Sequence, residues 1–260
     1  MLGAAGIQAK RGKGLLMRFL KNHPFAVDAH FESSLVLTFA VPKEQLQPLI
    51  PECLQLDTFD DKWAFIAIAM VQTKHLRPKG LPKFMGNDFF LIGYRIFVRY
   101  PTSKGKRLRG LYIIKSETNK RKMQFFGNTF THYNYTTTDV SQRIEQNVKT
   151  IRSKKSNFRL EVDATESEVD LPEGSPFREW KEARRYAGPL PFTFTVDVAN
   201  KTTLIIEGVR SNWKPNPVKV ISYEFEFLDN LNLEGAVLAN CFEIRDIPYS
   251  WKKGRQDSWG

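Results

Sequence analysis

The sequence predicts a mainly β protein in which few helices flank the strands. Three observations carry this. The 260 residues include 20 Phe, and aromatic side chains favour packed strands. Residues 63–71, WAFIAIAMV, form an unbroken apolar run, too short for a buried helix and rich in Ile and aromatics. Residues 89–100 and 109–117 are two strand-like runs separated by the polar turn 102–107, which is the pattern of a hairpin.

The remaining elements follow in order. Residues 1–24 read as an arm closed by Pro24, and 34–41 as a strand. Pro42 suits the first position of a short helix, PKEQLQPLI, stopped by Pro51. Residues 54–59 read as a strand, and Asp60-Asp61 turns the chain into the central strand 63–71. Residues 75–86, with Pro78, Gly80, Pro82 and Gly86, read as a long loop. After the hairpin, 119–122 is a second turn and 123–138 supplies further strands. Residues 140–152 fit either a helical stripe through Ile144, Val148 and Ile151 or a strand. Residues 158–162 read as a strand. Ser175-Pro176 before FREWKEARRYAG is a helix signal, with acids early, arginines late and Gly188 at the end. Residues 192–198, 202–209, 218–227 and 238–244 complete the strands. No linker divides the chain, so 25–253 reads as one domain, followed by a basic tail at 254–260.

The charge balance narrows the function classes. Lys and Arg total 39 against 28 Asp and Glu, a net charge of +11. Residues 104–122 hold eight bases against one acid, Glu117, while 161–173 hold six acids and no base. The two patches suit pairing between subunits of a homo-oligomer as well as binding of a polyanion. No nucleic-acid fold signature accompanies the bases, so a nucleic-acid partner is not expected. Cys53 and Cys241 stand far apart with no metal-ligand spacing, which predicts free thiols in a reducing cytoplasm and no metal site. The amino-terminal segment lacks the run needed for a signal peptide or a membrane span, leaving only a weak amphipathic stretch at 14–20. No membrane partner and no cofactor are expected.

Candidate chemistry concentrates between residues 94 and 135. Strict alternation along 109–117 puts Leu111, Ile113, Lys115 and Glu117 on one face. A lysine buried there is desolvated and becomes a nucleophilic amine for Schiff-base chemistry, with Glu117 as a proton shuttle. At a fraying strand end the same two residues are ordinary surface charges, the commoner fate of lysine. His132 and Tyr133 form a polar pair in FTHYNY. Arg95, Arg99 and Arg109 come near one another across the hairpin, where guanidinium forks suit carboxylates. His75 and Arg77 lie in the Pro/Gly loop. No nucleophile elbow, phosphate-binding glycine loop or zinc signature occurs.

The ordered set LIPECLQLDTFDDKWAFIAIAMV, LRPKGLP, FFLIGYRIFVRY and RGLYIIKSET resembles the YqjF-like family of uncharacterised bacterial proteins, grouped with the acetoacetate decarboxylase-like superfamily. AGPLPFTFTVD and GVRSNWKPNPVKV fit the same fold less specifically. The resemblance implies an antiparallel β-barrel or cone with a central cavity. In the decarboxylases that cavity holds a Schiff-base lysine and a glutamate. The positions here that match are Leu91 for the glutamate and GNTFTHYNY, without a lysine, for the lysine segment. The resemblance therefore implies a cavity for a small acidic or carbonyl compound, with Arg95, Arg109, His132 and Tyr133 as binding residues. The alternatives are a metal-free lyase acting on a keto acid through Lys115 and Glu117, and a polyanion-binding protein using residues 104–122.

Overall fold

The computed structural model describes residues 20–165, 169–186, 188, 190–211 and 213–259. Most of the expected arm, and all but the last residue of the stretch 14–20, lie outside the described residues.

The described residues form fifteen strands: β1 (Val27–Pro42), β2 (Gln55–Leu56), β3 (Trp63–Pro78), β4 (Asn87–Pro101), β5 (Arg107–Thr118), β6 (Thr136–Thr137), β7 (Ser141–Glu145), β8 (Val148–Ser153), β9 (Phe158–Asp163), β10 (Phe192–Asp197), β11 (Thr202–Arg210), β12 (Asn216–Pro217), β13 (Val220–Phe225), β14 (Val237–Trp251) and β15 (Arg255–Ser258). The helices are short: α1 (Lys43–Leu46), α2 (Arg121–Phe130), α3 (Trp180–Ala183) and α4 (Glu226–Asp229).

The main sheet runs β14-β1-β3-β4-β5-β10-β11, and β11 pairs back with β14, so these seven strands form a closed ring. Within the ring every pairing is antiparallel except the joint between β5 and β10, which is parallel; outside the ring the two-residue β6 also pairs parallel to β5. A second sheet, β13-β9-β8-β7, lies against the outside of the ring. Its Ile151, Phe158, Leu160 and Phe225 pack on Leu37, Ile68, Ile92 and Ile96 of β1, β3 and β4. The apolar run expected to be central is central: Ala64 to Val71 are all buried on both faces of β3.

Both joints that close the ring pass through a glycine. A Cβ on Gly110, opposite Phe192, would run into the Phe192 carbonyl. One on Gly208, opposite Trp251, would run into the Tyr249 hydroxyl. Only glycine allows such approaches without displacing a backbone or a buried ring.

Several expectations are corrected by the pairing. Residues 123–130, expected as strand, belong to helix α2; Met123, Phe126, Gly127 and Phe130 recur at helical spacing, and the Thr131 hydroxyl closes the helix by donating to the Gly127 carbonyl at 2.7 Å. β3 continues through His75, which takes a φ of 53°, so the loop after it shrinks to 79–86. Residues 141–153 resolve their ambiguity as the hairpin β7–β8, because Gln146 and Asn147 both adopt positive φ. The helix expected from Ser175 is confined to α3 and a following 3-10 turn, since the Ser175 hydroxyl is drawn to the Ala239 carbonyl of β14 at 2.8 Å. Residues 255–258, expected as tail, form β15, and Asp257 there accepts hydrogen bonds from the Tyr100 hydroxyl at 2.9 Å and from the Ser103 hydroxyl at 2.5 Å.

Gly110→Ala and Gly208→Ala are each expected to destabilise the fold by about 1–3 kcal/mol through overpacking at the joint. Urea denaturation checks this; an unchanged midpoint for both would show that the joints tolerate a methyl group.

Candidate functional site

All seven ring strands contribute residues to a cavity of about 580 Å³, within the usual range for ligand pockets. Helix α2 covers it through Met123, Phe126 and Phe130, and His23 and Phe25 close one side. At the other end of the ring Phe177 and Tyr186 fill the interior, with Tyr186 ring centroids 4.0 Å from Phe65 and 5.7 Å from Phe97. The interior is thus half plug and half chamber.

Arg95 is the most enclosed of the charged groups lining the chamber. On β4 the residues Phe89, Leu91, Gly93 and Arg95 alternate inward, while Phe90, Ile92 and Tyr94 pack into the outer core. The missing side chain at Gly93 gives the guanidinium its place: a Cβ there would sit 2.9 Å from Arg95 Nε. Enclosure by protein pulls the Arg95 pKa below its ordinary value, and Tyr249, Tyr135 and Tyr133 partly oppose that shift. The same burial raises all three phenols, Tyr135 to about 12. The Asn128 side chain fixes the Tyr135 backbone, accepting its N–H at 2.6 Å and donating to its carbonyl at 2.9 Å. The Tyr133 hydroxyl engages the Thr193 side chain.

Two features distinguish this chamber. Among the described residues its lining holds Arg77, Arg95 and Lys122 but no carboxylate. Four buried polar atoms in its wall, His23 Nε2, Ser34 Oγ, Thr73 Oγ1 and Arg95 Nε, have no hydrogen-bond partner among the described residues. Buried polar groups in a folded protein are almost always paired, so four in one wall need an explanation. His23 is held in place by its own backbone: its N–H donates to the Phe130 carbonyl at 3.2 Å and its carbonyl accepts the Gly254 N–H at 2.9 Å. Burial pushes its imidazole down to about 4.

The sequence-predicted site residues separate. Arg95 and Tyr133 line the chamber. His132, between the lining residues Thr131 and Tyr133, is not part of the lining; its Nε2 lies 3.3 Å from Asn22 Oδ1. Arg109 is not in the chamber either. With Arg99 it holds the buried carboxylate of Asp57, donates to the Arg185 carbonyl at 2.8 Å and stacks on Tyr186 at 4.9 Å. Arg77 lines the chamber, whereas His75 does not.

Lys115 and Glu117 lie on the outer face. Tyr94 pairs with Lys115 but Arg95 pairs with Ile113, so Ile114 is an extra residue, a β-bulge. The bulge interrupts the alternation. Leu111, Ile113 and Ser116 face the chamber, and Lys115 and Glu117 do not share their face. Lys115 Nζ lies over the Phe227 ring at 4.6 Å and the Tyr94 ring at 5.3 Å, and 3.4 Å from Glu117 Oε1. That same oxygen accepts the Ser156 hydroxyl at 2.6 Å, and Ser156, Thr138 and Ser153 continue as a chain of hydroxyl contacts to Asp139. The pair joins the ring to the second sheet.

Comparison with known proteins agrees with this architecture. Residues 28–243 match the DUF2071 family of uncharacterized conserved proteins. The chain belongs to that family. No curated protein matches it. Among solved structures, an acetoacetate decarboxylase from Legionella pneumophila is similar at a TM-score of 0.61 and 11% identity, covering 90% of this chain and 88% of that one. An acetoacetate decarboxylase-like enzyme from Sphingomonas wittichii RW1 is similar at a TM-score of 0.54 and 10% identity, covering 93% and 94%. The enduracididine biosynthesis enzyme MppR, solved with a condensation product of pyruvate and imidazole 4-carboxaldehyde, is similar at 0.54 and 9% identity, covering 90% of each chain. At such identities the likeness establishes the acetoacetate decarboxylase-like fold.

Sequence reasoning missed His23, Ser34, Thr73 and Tyr135. Ser34 and Thr73 sit among apolar strand residues, where a hydroxyl gives no pattern of its own.

Two measurements check these assignments. The His23 imidazole is depressed from 6.5 to about 4, so in that window the unfolded chain binds a proton the folded chain refuses. Stability therefore falls as pH drops from 6.5 towards 4, by up to about 3 kcal/mol for a shift of this size. His23→Asn, which tolerates the φ of 51°, should flatten that part of the urea-stability profile relative to the unaltered protein. Glu117→Ala leaves Lys115 without its carboxylate at a half-buried site; a loss of about 3 kcal/mol in denaturant unfolding is expected.

Proposed function

We propose that the protein binds a small compound bearing a carboxylate, an acid or keto acid, inside the ring, with Arg95 as its anchor. One observation carries this reading: an enclosed guanidinium in a lining that contains no carboxylate. A buried charge without a counter-ion is costly, and a carboxylate ligand supplies that counter-ion with charge-assisted hydrogen bonds. Tyr133, Tyr135 and Tyr249 surround the guanidinium as neutral phenols, able to donate hydrogen bonds to ligand oxygens. His23, neutral at pH 7, offers one more donor or acceptor at the wall.

The competing readings have less support. A Schiff-base lyase using Lys115 needs its amine in the chamber, and Lys115 is packed on the opposite side of β5 against Phe227. Polyanion binding through residues 104–122 loses Arg109 to Asp57 and Arg107 to Gln55, whose Oε1 accepts its Nη2 at 2.8 Å. Among the described residues no helix is long and apolar enough to cross a membrane. Cys53 and Cys241 are free thiols, which fits a reducing cytoplasm. A place among YqjF-like bacterial proteins fits the DUF2071 match.

Thermal unfolding with a panel of carboxylates tests the anchor. A ligand at a hundredfold excess over its Kd is expected to stabilise the protein by about 2.7 kcal/mol. Arg95→Met should abolish that stabilisation and raise the melting temperature of the ligand-free protein, because an unpaired buried charge is removed. Carboxylate-induced shifts that persist in Arg95→Met would refute the anchoring role.

A further inference from the structure

The chamber is much longer than a short keto acid. On β4 its lining residues run from Asn87 to Arg95, and Arg95 folds back over Gly93. Six strand steps separate Gly93 from Asn87, about 20 Å at the usual strand rise. The wall over that length is mostly apolar, with Phe89 and Leu91 on β4, Val71 and Leu76 on β3, and Met123 and Phe130 on α2, broken only by the hydroxyls of Ser34 and Thr73 among these strand positions. At its outer end stand two exposed apolar segments. One is Leu81, Phe84 and Met85; the other is Phe125 and Phe126 on α2. Met85 and Phe126 belong to both the exposed surface and the lining, so apolar surface is continuous from solvent to chamber. Lys122 and Arg77 flank this outer end.

Building on the anchoring reading above, we propose that the ligand is an amphipathic monocarboxylic acid: a carboxylate on Arg95 and an unbranched or aromatic apolar body lying along the 20 Å of wall towards Met85 and Phe126. A compound the size of acetoacetate satisfies Arg95 but leaves most of the 580 Å³ without apolar contact. The exposed aromatics at the outer end give the tail of such a ligand a first point of contact. The gain from burying each methylene is about 0.8 kcal/mol, close to fourfold in Kd.

Titration calorimetry with acetate, butyrate, hexanoate, octanoate and acetoacetate on the unaltered full chain tests this. Affinity is expected to rise about fourfold per added methylene, so that octanoate binds at least a hundredfold more tightly than acetoacetate. Leu91→Trp, which fills the wall midway, should weaken octanoate at least tenfold more than it weakens acetate. Two results overturn the proposal in distinguishable ways. If acetoacetate binds as tightly as octanoate and both depend on Arg95, the amphipathic inference fails and the carboxylate anchor stands. If octanoate binds equally well to Arg95→Met, or no acid in the series binds, the anchor fails and the proposal falls with it.

Discussion

Two glycines let the sheet close. At Gly110 the β5 backbone meets Phe192 of β10, and at Gly208 the β11 backbone meets the Tyr249 ring of β14. The five strands β14-β1-β3-β4-β5 and the hairpin β10-β11 would each present two edges, and an edge is a row of unpaired backbone groups. Joining β11 to β14 and β5 to β10 removes them and encloses a space. Without both joints the inward faces of β3 and β4 would meet solvent, and Arg95 would be an exposed arginine of no special character.

Enclosure changes what Arg95 is. In water a guanidinium is well solvated; here protein surrounds it and the lining offers no carboxylate. Contrast Arg99 and Arg109, which share the fully buried Asp57 and are thereby neutralised. The hairpin strands carry four arginines: Asp57 holds Arg99 and Arg109, Gln55 accepts from Arg107, and Arg95 lines the chamber. Natural sites often retain such uncompensated polar groups at a cost in stability, because a ligand completes them.

The single extra residue at Ile114 has an equally large effect. Strict alternation would have turned Lys115 inward beside Ile113; the bulge turns it outward onto Phe227 and Tyr94. There it joins Glu117 and Ser156 in fastening the second sheet to the ring. The fold is shared with acetoacetate decarboxylases, and in this chain Lys115 packs outside the chamber.

Local pattern was enough to determine that the protein is mainly β, that 63–71 forms a buried central strand, and that 89–117 forms a hairpin carrying the site's arginine. These features depend on contiguous residues, so their periodicity is visible in the chain. Residues 123–130 carry a helical apolar spacing, but the surrounding Phe, Tyr and Thr led to a strand reading that the structure overturns. Three things were decided by tertiary structure: that Asp57 claims Arg109 but not Arg95, that Ser34, Thr73 and His23 converge on one wall, and that Lys115 faces outward. Each depends on partners far away in sequence or on a bulge of one residue, and neither leaves a period to read. Charge and alternation named the candidates; ring closure and register determined which of them face the chamber.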